Sequence, residues 1–199
     1  MPRPLEFDPE QVLAVAADAF LTHGYAGTSV AMVAEAAGVG KQSLYNTFGD
    51  KPALFQQALG CAAGRVGATV ASMASAPTGR AALHAFFDQV VTDCASADPV
   101  RRHCMVSAGL LEGIDDTDVQ HALRRAWVET RDLLRTTLLR GQHDGSVTRA
   151  VPADVLADHL MTSMSGLRVA ARARVGVERL RASAALALHL LDPPGAPGG

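Results

Sequence analysis

The chain has 199 residues, 48% hydrophobic and 19% charged, a balance that supports a sizeable core and excludes a disordered chain. Aromatics are only 5% and alanine is abundant, which favours packed helices over strands, and no run approaches the ~20 apolar residues of a membrane span. No signal peptide precedes Pro9, so the protein is expected in the cytoplasm, and a net charge of −2 gives no basic footprint of the kind most nucleic-acid binders carry.

Taken in order, Asp8-Pro9-Glu10-Gln11 is a helix start, with Asp as cap, Pro in the first turn and Gln closing a capping box. The first helix presents Leu13, Ala16, Ala17 and Phe20 on one face and ends at His23-Gly24. Thr28 then offers a hydroxyl to cap a second helix, in which Val30, Val33, Ala34 and Ala37 share a face. Gly38 supplies the positive φ of a tight stop, and Val39 follows as a small apolar plug. A third helix spans about Lys41 to Phe48, with Leu44 and Phe48 inward and Lys41, Gln42, Ser43, Tyr45, Asn46 and Thr47 outward. By spacing alone, two short helices around a glycine turn read either as a plain helical hairpin or as a helix-turn-helix, whose second helix enters the DNA major groove. Gln, Asn, Ser and Lys are side chains that read base edges, whereas a helix kept for stability alone would carry Ala, Glu, Leu and Arg.

Charge pulls the other way. Residues 1 to 55 hold Arg3, Lys41 and Lys51 against Glu6, Asp8, Glu10, Asp18, Glu35 and Asp50, a balance of −3. Yet the chain's two lysines both flank the third helix, and dimerisation would double that patch.

Asp50 caps a fourth helix with Pro52 in its first turn. Leu54, Phe55, Ala58, Leu59, Ala62 and Val66 carry its apolar stripe to about Ser75, so one continuous helix is expected to connect the two halves. After the break at 76–79, a helix from about Gly79 to Ala95 buries Leu83, Phe86, Phe87, Val90, Val91 and Cys94. A further helix is expected from Arg101 to Glu112, and a long one opens with a capping box at Thr117 and runs to Arg140. Residues 141–151 read as a loop. Two last helices follow, from Pro152 to about Arg174 and from Glu178 to Leu191.

GYAGTSVAMVAEAAGVGKQSLYNTFGDKPALF resembles the N-terminal DNA-binding segment of the TetR/AcrR family of transcriptional regulators. The HGY helix end, the Thr28-Ser29 start, the AGV turn, the SLYNTF recognition helix and the GDKPALF start all match in order, over roughly residues 8 to 60. The remaining residues resemble that family in length and helical pattern. The resemblance implies an all-α protein of about nine helices. A three-helix DNA-binding domain would occupy residues 1–50, and an effector-binding and dimerising domain residues 51–199.

The matched positions imply DNA contacts by Lys41, Gln42, Ser43, Tyr45 and Asn46, with Thr28 and Lys51 at phosphates beside helix N-termini. Gly40 departs from the Ser or Thr common before this helix, which removes one cap. The family's enclosed ligand cavity makes Phe86, Phe87, Met105, Trp127, Met161 and Met164 the candidate effector lining, although aromatics and methionines at helical spacing also build plain core. His84, His103, His121 and His159 are polar residues that could join such a lining. The small-residue run at 161–166 and the apolar last helix suit internal core as well, but the resemblance implies a homodimer through a four-helix bundle, with Ser163, Gly166, Leu180, Ala184 and Leu188 at the interface.

The implied function is sequence-specific transcription control: a repressor released from a palindromic operator by a small hydrophobic effector. No i, i+4 metal pair, nucleophile elbow or phosphate-cradling glycine loop stands in the chain, so neither enzyme chemistry nor a cofactor is expected. Cys61, Cys94 and Cys104 lack metal-ligand spacing and read as reduced thiols, with redox sensing as the sharper alternative. The rival reading is a helical small-molecule-binding protein without DNA recognition, which the acidic N-terminal balance would suit.

Overall fold

The computed structural model describes residues 7–64, 67–97 and 104–193. Among these residues there are ten helices and no strand, against about nine helices expected. They are α1 (Pro9–Gly27), α2 (Val30–Ala37), α3 (Lys41–Phe48), α4 (Lys51–Gly64), α5 (Gly67–Ser75), α6 (Gly79–Ala95), α7 (Met105–Glu112), α8 (Thr117–Asp144), α9 (Ala153–Arg172) and α10 (Val177–His189). The expected single helix to Ser75 is described as α4 and α5. Residues 65 and 66, including Val66 of the expected stripe, lie outside the described residues, as do 98–103 at the expected start of α7.

The chain divides into two compact units, one within residues 1–65 and 103–126, the other within 66–102 and 127–199. This is a different cut from the functional division expected at residue 50. Helix α4 packs on α1 and α3, and α7 packs on α1 and α4, so both belong with the helix-turn-helix.

In the first unit, the Asp8 carboxylate accepts the Glu10 N–H at 2.9 Å and Pro9 opens α1. The inward face of α1 is Val12, Ala16, Ala17, Phe20 and Leu21; the expected Leu13 is only half-buried because Val12 takes the inner position. Phe20 meets the Phe55 ring edge-on at 5.0 Å, and Tyr25 meets it at 5.3 Å. Helical geometry breaks at Gly24, with φ 75° and ψ 171°, where the sequence ends the helix. From the distant segment come Met105, Ile114, Val119, Ala122 and Leu123, all buried. Gly109 lies so close to Leu123 that a Cβ would stand 2.8 Å from its Cδ1.

The second unit is built on α6, α9, α10 and the end of α8. Leu83, Phe86, Phe87, Val90 and Val91 pack with Leu134, Leu138, Leu160, Met161, Leu180 and Leu188 in one apolar cluster. Each such side chain contributes roughly 1.5–3 kcal/mol by leaving water. Helix α8 continues past Arg140 to Asp144, into the expected loop, because Gly141 lets it press against the start of α6. Its N-cap is Asp116, whose carboxylate accepts from Asp118 and Val119 N–H groups at 3.1 and 3.0 Å. The capping box expected at Thr117 does not form: the cap lies one residue earlier, the third residue after it is Val119, which cannot reciprocate, and Gln120 donates instead to the Ile114 carbonyl at 2.7 Å.

Candidate nucleic-acid interface

Helix α3 is eight residues long and stands on two of them. Leu44 is 0% exposed and Phe48 3%, so the i, i+4 pair fixes the helix and leaves the opposite face outward. That face presents Lys41, Gln42, Tyr45 and Asn46 to solvent, with Ser43 and Thr47 half-buried at its edges. The Gln42 side-chain amide donates to Asn46 Oδ1 at 3.0 Å, and Lys41 Nζ lies 5.8 Å from the Tyr45 ring centre. Thr47 donates its hydroxyl proton to the Ser43 carbonyl at 2.9 Å and is spent locally. The Gln42–Asn46 bond holds both amides on one face while leaving an acceptor on Gln42 and donors on Asn46 unused.

The turn ahead of α3 has the geometry its glycine predicts. Gly38 is left-handed at φ 67° and ψ 27°. Its N–H reaches the Glu35 carbonyl at 3.1 Å while the Val39 N–H reaches Ala34 at 2.9 Å, the paired bonds of a Schellman stop. At the next junction Gly40 gives α3 no side-chain cap, so its first N–H groups are left for an outside acceptor.

Two assignments at the start of α2 need correction. The cap is Ser29, whose Oγ accepts the Met32 N–H at 3.2 Å, and not Thr28. Thr28 is 1% exposed, and its hydroxyl faces the carbonyls of Gly24 at 2.7 Å and Ala19 at 3.1 Å. A side chain buried this way does not present itself to a phosphate, so Thr28 leaves the expected contact set. Lys51 is half-buried, with Nζ 3.4 Å from the Ala26 carbonyl and 4.4 Å from the centre of the Tyr25 ring. Burial, followed by the charges of Asp116 and Asp50, pushes the Tyr25 phenol up to about 12, so it stays neutral beside this lysine.

Sequence reasoning missed Tyr25 and Glu112 at this junction. The Glu112 carboxylate accepts the N–H groups of Tyr25 and Ala26, both at 2.7 Å, from 86–87 residues away. Nothing local in the sequence signals that pairing.

Among the effector candidates, Phe86, Phe87, Met161 and Met164 are buried in the core of the second unit, and Trp127 packs against it partly exposed. Met105 is buried in the first unit. Arg131 is turned outward, onto Asp158 and Asp154 of α9. An open groove of about 890 Å³ lies elsewhere in this unit, lined by Arg80, Ala81 and His84 of α6 and by Ala182, Leu186 and His189 of α10. Of the expected lining only His84 borders it; Phe86, Phe87, Met105, Trp127, Met161 and Met164 do not. His103 lies outside the described residues, while His121 is exposed and His159 Nε2 sits 3.4 Å from Ser163 Oγ.

The expected interface set also needs correction. Leu180, Ala184 and Leu188 are 2%, 5% and 2% exposed within one chain, because their i, i+4, i+8 stripe faces α6 and α9. They are core, not partner surface. Gly166 does face outward, with nothing within 4 Å of where a Cβ would be, and Ser163 is half-buried. The outward apolar positions are Val155 and Val169 on α9, Leu186 on α10 and Leu190 just after it, 56–69% exposed.

A helix-turn-helix with a polar, solvent-facing second helix, followed by a helical second unit, defines a DNA-binding regulator. Residues 12–58 match the family model described as bacterial regulatory proteins, tetR family. The HTH-type transcriptional repressor BdcR of Escherichia coli is 30% identical over 93% of this chain and 89% of its own length. The HTH-type transcriptional regulator YezE of Bacillus subtilis is 29% identical over 96% of this chain and all of its own. A cysteine variant of the TetR-family regulator CifR, solved with 26-bp double-strand operator DNA, superposes with a TM-score of 0.83 at 33% identity, over 94% of this chain and 98% of that one. The chain belongs to the TetR family of transcriptional regulators: it is a DNA-binding regulator and not an enzyme. No helix among the described residues is long and apolar enough to cross a membrane.

Proposed function

We propose that the protein is a cytoplasmic repressor that binds a palindromic operator as a homodimer and leaves it when a small hydrophobic effector binds the second unit. The observation that carries this reading is the outward face of α3. Four side chains able to reach bases or phosphates are held there by two buried anchors. Gln42 and Asn46 are the base readers, since paired amides match the donor–acceptor edge of adenine. Lys41, Ser43 and Tyr45 border them, and Lys51 meets a phosphate together with the uncapped start of α3.

The dimer forms through the outward faces of α9 and α10, where Gly166 permits close approach and Val155, Val169, Leu186 and Leu190 supply apolar area. The effector is enclosed by side chains of the second unit, Phe86, Phe87, Trp127, Met161 and Met164. With Arg131 paired outward, this set favours an apolar, uncharged ligand. A ligand acts by favouring a conformation whose recognition helices no longer match adjacent grooves. A typical coupling of about 1–3 kcal/mol changes operator occupancy roughly 5- to 150-fold. Selecting a random-sequence duplex library on the purified protein tests the reading: an inverted repeat is expected, and enrichment of no sequence would overturn it.

A further inference from the structure

We infer that Glu112, at the end of α7, is a positioning residue for DNA reading, holding the backbone that enters the helix-turn-helix. Its two oxygens accept two successive backbone N–H groups, Tyr25 on Oε2 and Ala26 on Oε1, each at 2.7 Å. Successive N–H groups pointing the same way form a small anion cradle, and a carboxylate spanning both is a charge-assisted, two-point hold. Gly24 is shaped for it twice over. Its φ of 75° turns the next two N–H groups outward, and a Cβ there would stand 3.0 Å from Glu112 Oε1.

The held segment is the junction between α1 and the reading helices. Thr28 ties its far end back to Gly24 and Ala19, and Ser29 begins α2 directly afterwards. Lys51 approaches the same turn from α4 through the Ala26 carbonyl. The path from α2 into α1 is therefore fixed by a residue of α7, an element that contributes no side chain to the reading face. Displacement of α7 releases the turn and with it the seat of α2 and α3.

The inference rests on α3 reading DNA, and its test separates the two. On the duplex selected by the wild-type protein, Glu112→Ala should bind about tenfold more weakly or worse, and Glu112→Gln, which keeps one acceptor oxygen, should fall between. Sign makes the experiment discriminating. Both substitutions remove a negative charge, so electrostatics alone strengthens attraction to phosphates, on the selected duplex and on unrelated DNA alike. Amide exchange read in the free proteins should show Tyr25 and Ala26 losing protection in Glu112→Ala while Leu44 and Phe48 keep theirs; loss at all four would mean a misfolded variant and shift the decision to Glu112→Gln. Wild-type or tighter affinity in both variants overturns the positioning role, as does an equal loss on selected and unrelated DNA. Unchanged affinity in Gln42→Ala and Asn46→Ala would instead overturn the assignment of α3.

Discussion

At the scale of single residues, Gln42 and Asn46 act as a pair. They lie one turn apart on an exposed face, and their mutual hydrogen bond is worth only a few tenths of a kcal/mol to the fold. Replacing either by alanine should leave melting within about 0.5 kcal/mol while costing about 1–3 kcal/mol of specific binding, measured by titration against the selected duplex. The contact proposed for Lys51 is of a different class. Its ammonium is already pinned between the Ala26 carbonyl and the Tyr25 ring, beside the recognition helix. Lys51→Ala should weaken binding to all sequences by a similar factor and reduce the salt slope by roughly one. Loss confined to one sequence would place Lys51 at a base edge instead.

At the scale of elements, the start of α6 and the end of α8 are joined backbone to backbone. A Cβ on Gly79 would stand 2.3 Å from the Gly141 nitrogen, and one on Gly141 would stand 2.4 Å from Val147 Cγ2. The contact is sealed by Asp144, whose carboxylate accepts the Gly79 N–H at 2.8 Å, and by Arg140, which donates to the carbonyls of Met73 and Thr78. Hydrogen bonds from Ser146 and Gly79 hold the Asp144 carboxyl below its usual range. Neither backbone can retreat without breaking a helix, so Gly79→Ala should destabilise the second unit by about 1–3 kcal/mol or more, read by denaturant unfolding. Gly60→Ala, in open space on α4, is the control and should be neutral or slightly stabilising.

At the scale of the whole molecule, the outward face of α9 and α10 and the core of the second unit carry the dimer and effector proposals. Leu186 is 69% exposed, so Leu186→Asp removes apolar area without cutting into the core, whereas Leu188→Asp would bury a charge. The first should give folded monomers by light scattering, with half-site affinity only. A Leu186→Asp protein that stays dimeric would move the interface elsewhere. Trp127, the single tryptophan, packs partly exposed against the second unit's core. Apolar compounds that release DNA should change its emission, and release without any change would remove Trp127 from the lining.

What the sequence determined by itself was local and periodic. Capping at Asp8 and Asp50, the left-handed stop at Gly38, and the inward pair Leu44 and Phe48 follow from residue chemistry within one or two helical turns. The outward face of α3 follows from the same 3.6-residue period, which is why most of the proposed reading face could be placed outward from the sequence. Thr28 was misread because two adjacent hydroxyls, Thr28 and Ser29, can both cap, and only packing chose which one is buried. Leu180, Ala184 and Leu188 were misread for a related reason. An apolar stripe states that a face is covered, not whether its own chain or a second copy covers it. Glu112 was invisible, since a carboxylate at a helix end looks like any solvated charge until the fold brings Tyr25 and Ala26 to it from 86–87 residues away. Periodicity is written along the chain; partnership across it is decided by tertiary packing.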